Sequence, residues 1–155
     1  MAISYTTVWW SKVLKPIKDI IASEFRPMQV YISDIYEPKG NIAFRLFGEN
    51  SALLSRGESS EVREYEIELA YYLKDAGNRE RAYEKIYRDM DRLNQLIFNY
   101  RTNTDSGAVF FDAMFSDIRI NDKNEDEELI DDLFVAKSDL SCKFSLGLWY
   151  KCLLN

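Results

Sequence analysis

Carboxylates are the residues of this sequence best placed to do chemistry. Glu64, Glu66 and Glu68 recur at every second position, which in a strand sets them on one face about 7 Å apart. That spacing suits acid/base work on a sugar, where two carboxyl groups flank a glycosidic bond. Nothing around the row signals a pocket that would raise one carboxyl above the other, so it reads as a solubilising face. A second group, Asp122-x-Asn124-x-Asp126, resembles the opening of a calcium loop. It breaks down at position six, where Glu127 replaces the glycine of the sharp turn, and at position twelve, where Leu133 replaces a bidentate glutamate. The segment is read as a solvated acidic turn.

The chain contains no histidine, which removes the commonest general acid/base and zinc ligand and every Ser-His or Cys-His nucleophile. Its six glycines are scattered, and neither GxGxxG nor GxxxxGK[ST] occurs, so no backbone cradle for phosphates is signalled. Cys142 and Cys152 stand ten residues apart with no secretory leader before them, which fits free thiols in a reducing compartment. The expectation is a non-enzyme with no cofactor and no metal.

Charge and aromatic content point to surfaces instead. The net charge is −6, and the stretch from Asn121 to Asp132 accounts for it with seven carboxylates against Lys123 alone. A neutral body with one acidic segment is a poor binder of nucleic acid, whose affinity comes from basic groups that displace counterions. The cluster Lys12, Lys15 and Lys18 reads as a solvated helix face. Aromatic residues make up 14% of the chain, more than one modest core readily hides, so some rings are expected to face a partner. No apolar run approaches the ~18 residues needed to cross a bilayer.

The elements that must carry these groups follow from periodicity. Trp9, Trp10, Val13, Leu14, Ile17, Ile20 and Ile21 mark one face of an N-terminal helix capped by Thr6 or Thr7, with Pro16 imposing a kink or a start nearer Lys15. Alternation over Met28–Ile32 and Ile42–Leu46, around Pro38-Lys39-Gly40-Asn41, predicts two strands joined as a hairpin. Residues 48–60 read as a polar loop whose Leu53 and Leu54 suggest docking onto a neighbour. Tyr65, Ile67, Leu69, Tyr71 and Leu73 alternate with Glu64, Glu66, Glu68, Ala70 and Tyr72 in the clearest strand of the chain.

Asn78 then caps a helix to about Tyr100, its seam formed by Ala82, Ile86, Met90, Leu93, Ile97 and Tyr100. Val109, Phe111, Ala113 and Phe115 on one face, with Phe110, Met114 and Ile118 on the other, predict a strand inside the sheet or against a partner. A last strand from Phe134 to Leu148 is long enough to outrun its own sheet and add to a neighbouring subunit. The fold class is α+β: one domain over residues 1–155, an N-terminal helix, and an antiparallel or mixed sheet of about five strands packed on one long helix, in the order α-β-β-β-α-β-β.

This order, with Thr7-Val8-Trp9-Trp10, Arg45-Leu46-Phe47-Gly48, Arg63-Glu64-Tyr65-Glu66-Ile67-Glu68-Leu69, Asp91-Arg92-Leu93-Asn94-Gln95-Leu96-Ile97 and Leu140-Ser141-Cys142, resembles the tail terminator proteins of tailed bacteriophages over nearly the whole chain. The resemblance implies a virion structural protein, assembled in the host cytoplasm, whose copies form a hexameric ring. Such a ring caps the tail tube and meets the head connector, and DNA touches it only in passage; no membrane is involved. Leu53, Leu54 and Arg56 would then reach a neighbour or the tube. Glu125, Asp126, Glu127 and Glu128 would line the channel or meet a basic patch of the neck, repelling phosphate from the bore. A neck or stopper protein of the same virion, and a non-viral adaptor that binds by strand addition, are the alternatives.

Overall fold

The sheet is organised by the alternation in its central strand. A computed structural model describes residues 5–102 and 110–147. In it β1 is Gln29–Ile32, β2 Ile42–Arg56, β3 Ser60–Lys74, β4 Phe111–Ile120 and β5 Leu133–Gly147; the helices are α1 Lys15–Glu24, α2 Arg79–Asn99 and the short α3 Glu125–Glu128. The order across the sheet is β1-β2-β3-β5-β4, with β1 parallel to β2 and every other pair antiparallel. The architecture is therefore α+β with a five-stranded mixed sheet.

Tyr65, Ile67, Leu69, Tyr71 and Leu73 of β3 face the helical layer and are all buried, as the alternation predicts. They share one core with Val13, Ile17 and Ile21 of the N-terminal helical segment, Ile86, Met90, Leu93 and Ile97 of α2, and Leu140, Cys142 and Phe144 of β5. Asn78 caps α2 by accepting the backbone N–H groups of Glu80 and Arg81, at 2.8 and 3.3 Å. Glu84 and Arg88 form the expected exposed pair one turn apart. Tyr100, expected on the buried seam, is exposed instead, because the helix ends at Asn99 and the chain turns away.

Pro16 shapes the first helix. α1 begins at Lys15 with the proline inside its first turn, where a missing N–H costs least. Ahead of it, Trp9–Leu14 forms a wide π-helical turn in which the Lys15 N–H reaches back to the Trp10 carbonyl. The cap is Val8, without a side-chain bond, and the Thr7 hydroxyl is engaged with that of Ser11 at 2.8 Å instead of serving as the cap.

Three expectations are corrected. β1 and β2 are not a hairpin: residues 33–41 carry the chain back to the start of the sheet, so that β2 runs parallel to β1 from Gln29↔Ala43 to Ile32↔Leu46. The segment 48–60 is not a loop. β2 and β3 continue as a ladder out to Arg56↔Glu61, leaving only residues 57–59 as the turn, so Leu53, Leu54 and Arg56 lie on a strand. β4 is an edge strand, so of the two places expected for it, inside the sheet or against a partner, the interior one is excluded; its faces are irregular because Asp112 adopts a left-handed conformation (φ 57°) at a bulge. The bulge puts Phe110 and Ala113 together in the core, where strict alternation separates them. Val109 and Leu148, both assigned to strands by pattern, lie outside the described residues.

β5 is as long as predicted, but β3 pairs with it over its full length, from Ser60↔Gly147 to Lys74↔Leu133. Relative to β4 it does extend further: the described pairing between them ends at Phe111↔Lys143. Thus β2, β3 and β5 together form an arm, and residues 53–60 at its end are all exposed.

Candidate functional site

Two regions of the molecule gather the residues that sequence reasoning singled out: the end of the arm and the sheet face that carries no long helix. At the end of the arm Leu53 and Leu54 are 47% and 49% exposed, two consecutive large apolar side chains both open to solvent. Arg56 beside them is engaged, its guanidinium on Glu61 at 2.7 Å, and Arg63 holds the other oxygen of that carboxylate at 2.8 Å. These contacts hold Glu61 below the ordinary carboxylate range, Arg63 contributing most. The arm is anchored at its base by packing: Trp9 lies edge-on to Tyr65 with ring centroids 4.8 Å apart and presses on the backbone of Gly48. A Cβ on Gly48 would sit 2.6 Å from the indole, so glycine at this point is what lets the ring approach the strand this closely.

The open face divides into a covered and a bare half. At the covered end residues 33–41 and the acidic segment fold over Tyr31, Ala43, Ala70, Tyr72 and Val135, with Tyr36 and Ile130 packed against them. A buried polar chain runs beneath this cover. Arg45, 2% exposed, donates from Nε to the Tyr72 hydroxyl at 2.9 Å and from Nη1 to the Ser33 carbonyl at 3.0 Å, and its Nη2 pairs with Glu68. The Tyr72 hydroxyl donates to Glu127 Oε2 at 2.7 Å, and the other oxygen of Glu127 accepts Lys137 Nζ at 2.8 Å. Glu127 also accepts the Asn124 N–H at 3.0 Å while Asn124 Oδ1 accepts the Glu127 N–H at 2.9 Å, a reciprocal cap on α3. Burial pushes the Tyr72 hydroxyl well up and keeps it a donor at neutral pH.

The four candidates in the acidic turn therefore part company. Glu125, Asp126 and Glu128 are exposed, whereas Glu127 is 1% exposed and bound on all sides. Glu127 is corrected from a surface group to a structural one: it fastens the turn to the sheet and has no charge free for a partner. Arg45 and Lys137, which complete this chain, were not singled out by sequence. The signal for Glu127 was present, since Asn124 precedes it by the three residues of a capping box.

No family model matches the sequence, and no curated protein does.

The bare half carries Glu49, Glu64, Glu66 and Asp139 around a shallow recess that also includes Ser116 and Ser141. Glu49 is pushed above its ordinary range, first by partial burial and then by the neighbouring Glu68 and Asp139 carboxylates. Glu64, Glu66 and Glu68 do share one face, but Glu68 is occupied by Arg45 and the three lie in a row along an open surface. Arg119 gathers Asp117, Asp122 and Asp139 at 2.9, 2.8 and 2.7 Å, which ties β4 to β5 and to the start of the acidic segment. Among the described residues no three His, Cys, Asp or Glu side chains are grouped to hold a metal ion. Cys142 lies in the core, where burial pushes its thiol up to about 12; Cys152 lies outside the described residues. No helix among the described residues is long and apolar enough to cross a membrane.

Proposed function

We propose that this chain is a structural subunit that assembles with copies of itself into a ring, and that the ring is a bacteriophage tail terminator, capping the tail tube and meeting the head connector. The observation that carries the assembly reading is the arm. β2 and β3 continue to an exposed end, residues 53–60, that displays two leucines on a strand, while β5 beside them stays packed on the core as far as Leu146. A protein seldom presents paired apolar side chains on an extended strand end unless something covers them. The terminator reading adds the sequence resemblance and the order of elements, α-β-β-β-α-β-β apart from the one-turn α3.

In this reading the ring is a hexamer, found in the virion at the junction of tail and neck. Leu53 and Leu54 meet the neighbouring copy or the tube, while Arg56 acts through its pairing with Glu61. Glu125, Asp126 and Glu128 face the bore or the neck, where their charge keeps passing DNA from adhering. Glu127 holds that turn in place.

Mass measurement of the purified protein by light scattering, with negative-stain images, tests the reading directly. Rings that bind the ends of tail tubes are expected. A monomer that ignores tubes and connectors refutes it and leaves the strand-addition adaptor as the better account. Replacing Leu53 and Leu54 together by Asp should abolish assembly or tube binding while leaving the melting temperature of the subunit unchanged. If the double variant assembles and binds normally, the arm is not the contact.

A further inference from the structure

We propose that copies join through their sheet edges, the outer edge of β4 in one copy pairing antiparallel with the outer edge of β2 in the next, so that a single sheet runs through the assembly. The inference rests on the ring reading above and adds which surfaces meet and in what register.

Among the described residues the sheet has two bare edges at its opposite sides. One is β4, whose strand partner is β5 alone; its Ala113 N–H is taken by the Arg101 carbonyl at 2.9 Å, and the bare part of the edge runs on from Met114. The other is the distal part of β2 from Phe47 onward, because β1 covers β2 only between Ala43 and Leu46. A bare edge offers a row of unsatisfied N–H and C=O groups, which proteins commonly shield with lysine or proline. Neither residue occurs in Phe47–Arg56 or in Phe111–Ile120; the protection these edges have is from bulges, at Gly48/Asn50 and Leu53/Ser55 of β2 and at Phe111/Met114 and Phe115/Asp117 of β4.

The two edges also lie at the same height. Pairing runs straight across the sheet from Asp117 through Asp139 and Glu68 to Phe47, from Met114 through Ser141 and Glu66 to Asn50, and from Phe111 through Lys143 and Glu64 to Ala52. The stretch Phe111–Asp117 is therefore level with Phe47–Ala52. Three successive antiparallel pairings make β4 run opposite to β2. A rotation about an axis parallel to the strands changes neither height nor direction, so it brings these two stretches together as an antiparallel pair. That is the geometry by which a head-to-tail contact closes into a ring.

Apolar exposure agrees with the same pairing. Phe47 is 38% exposed and Met114 50%, both point to the open face, and each sits on one of the two edges. Joining β4 to β2 covers both side chains with one contact. A two-fold pairing of β2 with β2 covers Phe47 and leaves Met114 in water.

The test is a disulfide placed between copies. In a Cys152→Ser background, Asn50→Cys and Met114→Cys put two thiols on facing edges at matching height, and both positions are exposed, so folding should be retained by circular dichroism. Under oxidation the double variant should give a ladder of covalent oligomers up to the full ring on a non-reducing gel, while each single variant gives none. Rings by light scattering with no ladder overturn the edge pairing and leave the ring reading standing. Covalent dimers from Asn50→Cys alone overturn it in favour of a two-fold β2 contact. A monomer by light scattering overturns both.

Discussion

Replacing Glu127 by Gln asks whether the acidic turn is held down by one buried carboxylate. The change keeps the shape of the side chain and removes the charge opposite Lys137. Both partners are enclosed, Glu127 at 1% and Lys137 at 7% exposure, with 2.8 Å between ammonium and carboxylate. Removing one member of such a pair leaves the other charge buried without compensation, which costs roughly 3–5 kcal/mol. The amide has a single accepting oxygen, which serves the Asn124 N–H or the Tyr72 hydroxyl but not both, so the expected loss is at least about 3 kcal/mol. The pH dependence has a definite sign. Burial alone would raise the Glu127 carboxyl, but Lys137, the Asn124 N–H and the Tyr72 hydroxyl outweigh it and hold the folded-state value below the ordinary 4.5. A carboxylate depressed on folding contributes its full stability above its unfolded value and loses it as pH falls through the folded one. Urea titrations followed by circular dichroism at neutral pH and at about pH 3 measure both points. E127Q should lose about 3 kcal/mol at neutral pH and distinctly less at about pH 3, below the ordinary carboxylate value, where the unfolded parent binds a proton that its depressed native carboxyl resists and so loses part of its advantage. Asp126→Asn, on the exposed neighbour, should stay within about 0.5 kcal/mol of the parent. A loss below about 1 kcal/mol, or an equal loss at both pH values, would refute the argument.

Two further substitutions probe the packing that supports the arm and the core. Gly48→Ala brings a methyl to 2.6 Å from the Trp9 ring and should destabilise by about 1–3 kcal/mol in urea titrations. Trp9→Phe in that background should recover part of the loss, and a neutral Gly48→Ala would mean that the indole does not pack on the strand. Ile67, Leu69, Ile86, Leu93 and Phe144 belong to one core, so truncating each to Ala should cost about 2–5 kcal/mol, and a loss under about 1 kcal/mol at any of them would remove it from that core.

Where one side of an element is buried and the other wet, the sequence could be read directly. The alternation of Tyr65 to Leu73 and of Phe134 to Phe144, and the helical repeat from Ala82 to Ile97, each report such a boundary. The same logic explains the failures. From Gly48 to Ser60 the arm has no face buried deeply enough to write a period, so its strand residues look like a loop. The relation of β1 to β2 is decided by where residues 33–41 lead the chain, and a segment with Pro38 and Gly40 is compatible with a hairpin and with a longer return alike. The faces of β4 were misassigned because a bulge at Asp112 adds one residue and shifts the pattern out of step. In the candidate site Leu53 and Leu54 were found by their contrast with polar neighbours, and they do lie exposed together. Glu127 was misread because seven acids within residues 121–132 hide the one that is buried; only its spacing from Asn124 distinguishes it. Arg45 gave no signal, since a single cation among strand residues says nothing of what folds over it.

The division of β3 between core and arm has a consequence for how openings spread through the molecule. The inner half of the strand is locked between side chains on both layers, so its backbone bonds break only when the whole fold does. Its outer end has neighbours alongside but little above or below, and can fray from the turn at residues 57–59 toward the Trp9–Tyr65 contact, stopping short of Arg63, whose partner Phe144 belongs to the core. The indole acts as a stopper on that fraying, letting one end of a strand adjust to whatever it meets while the other end keeps the shape of the subunit.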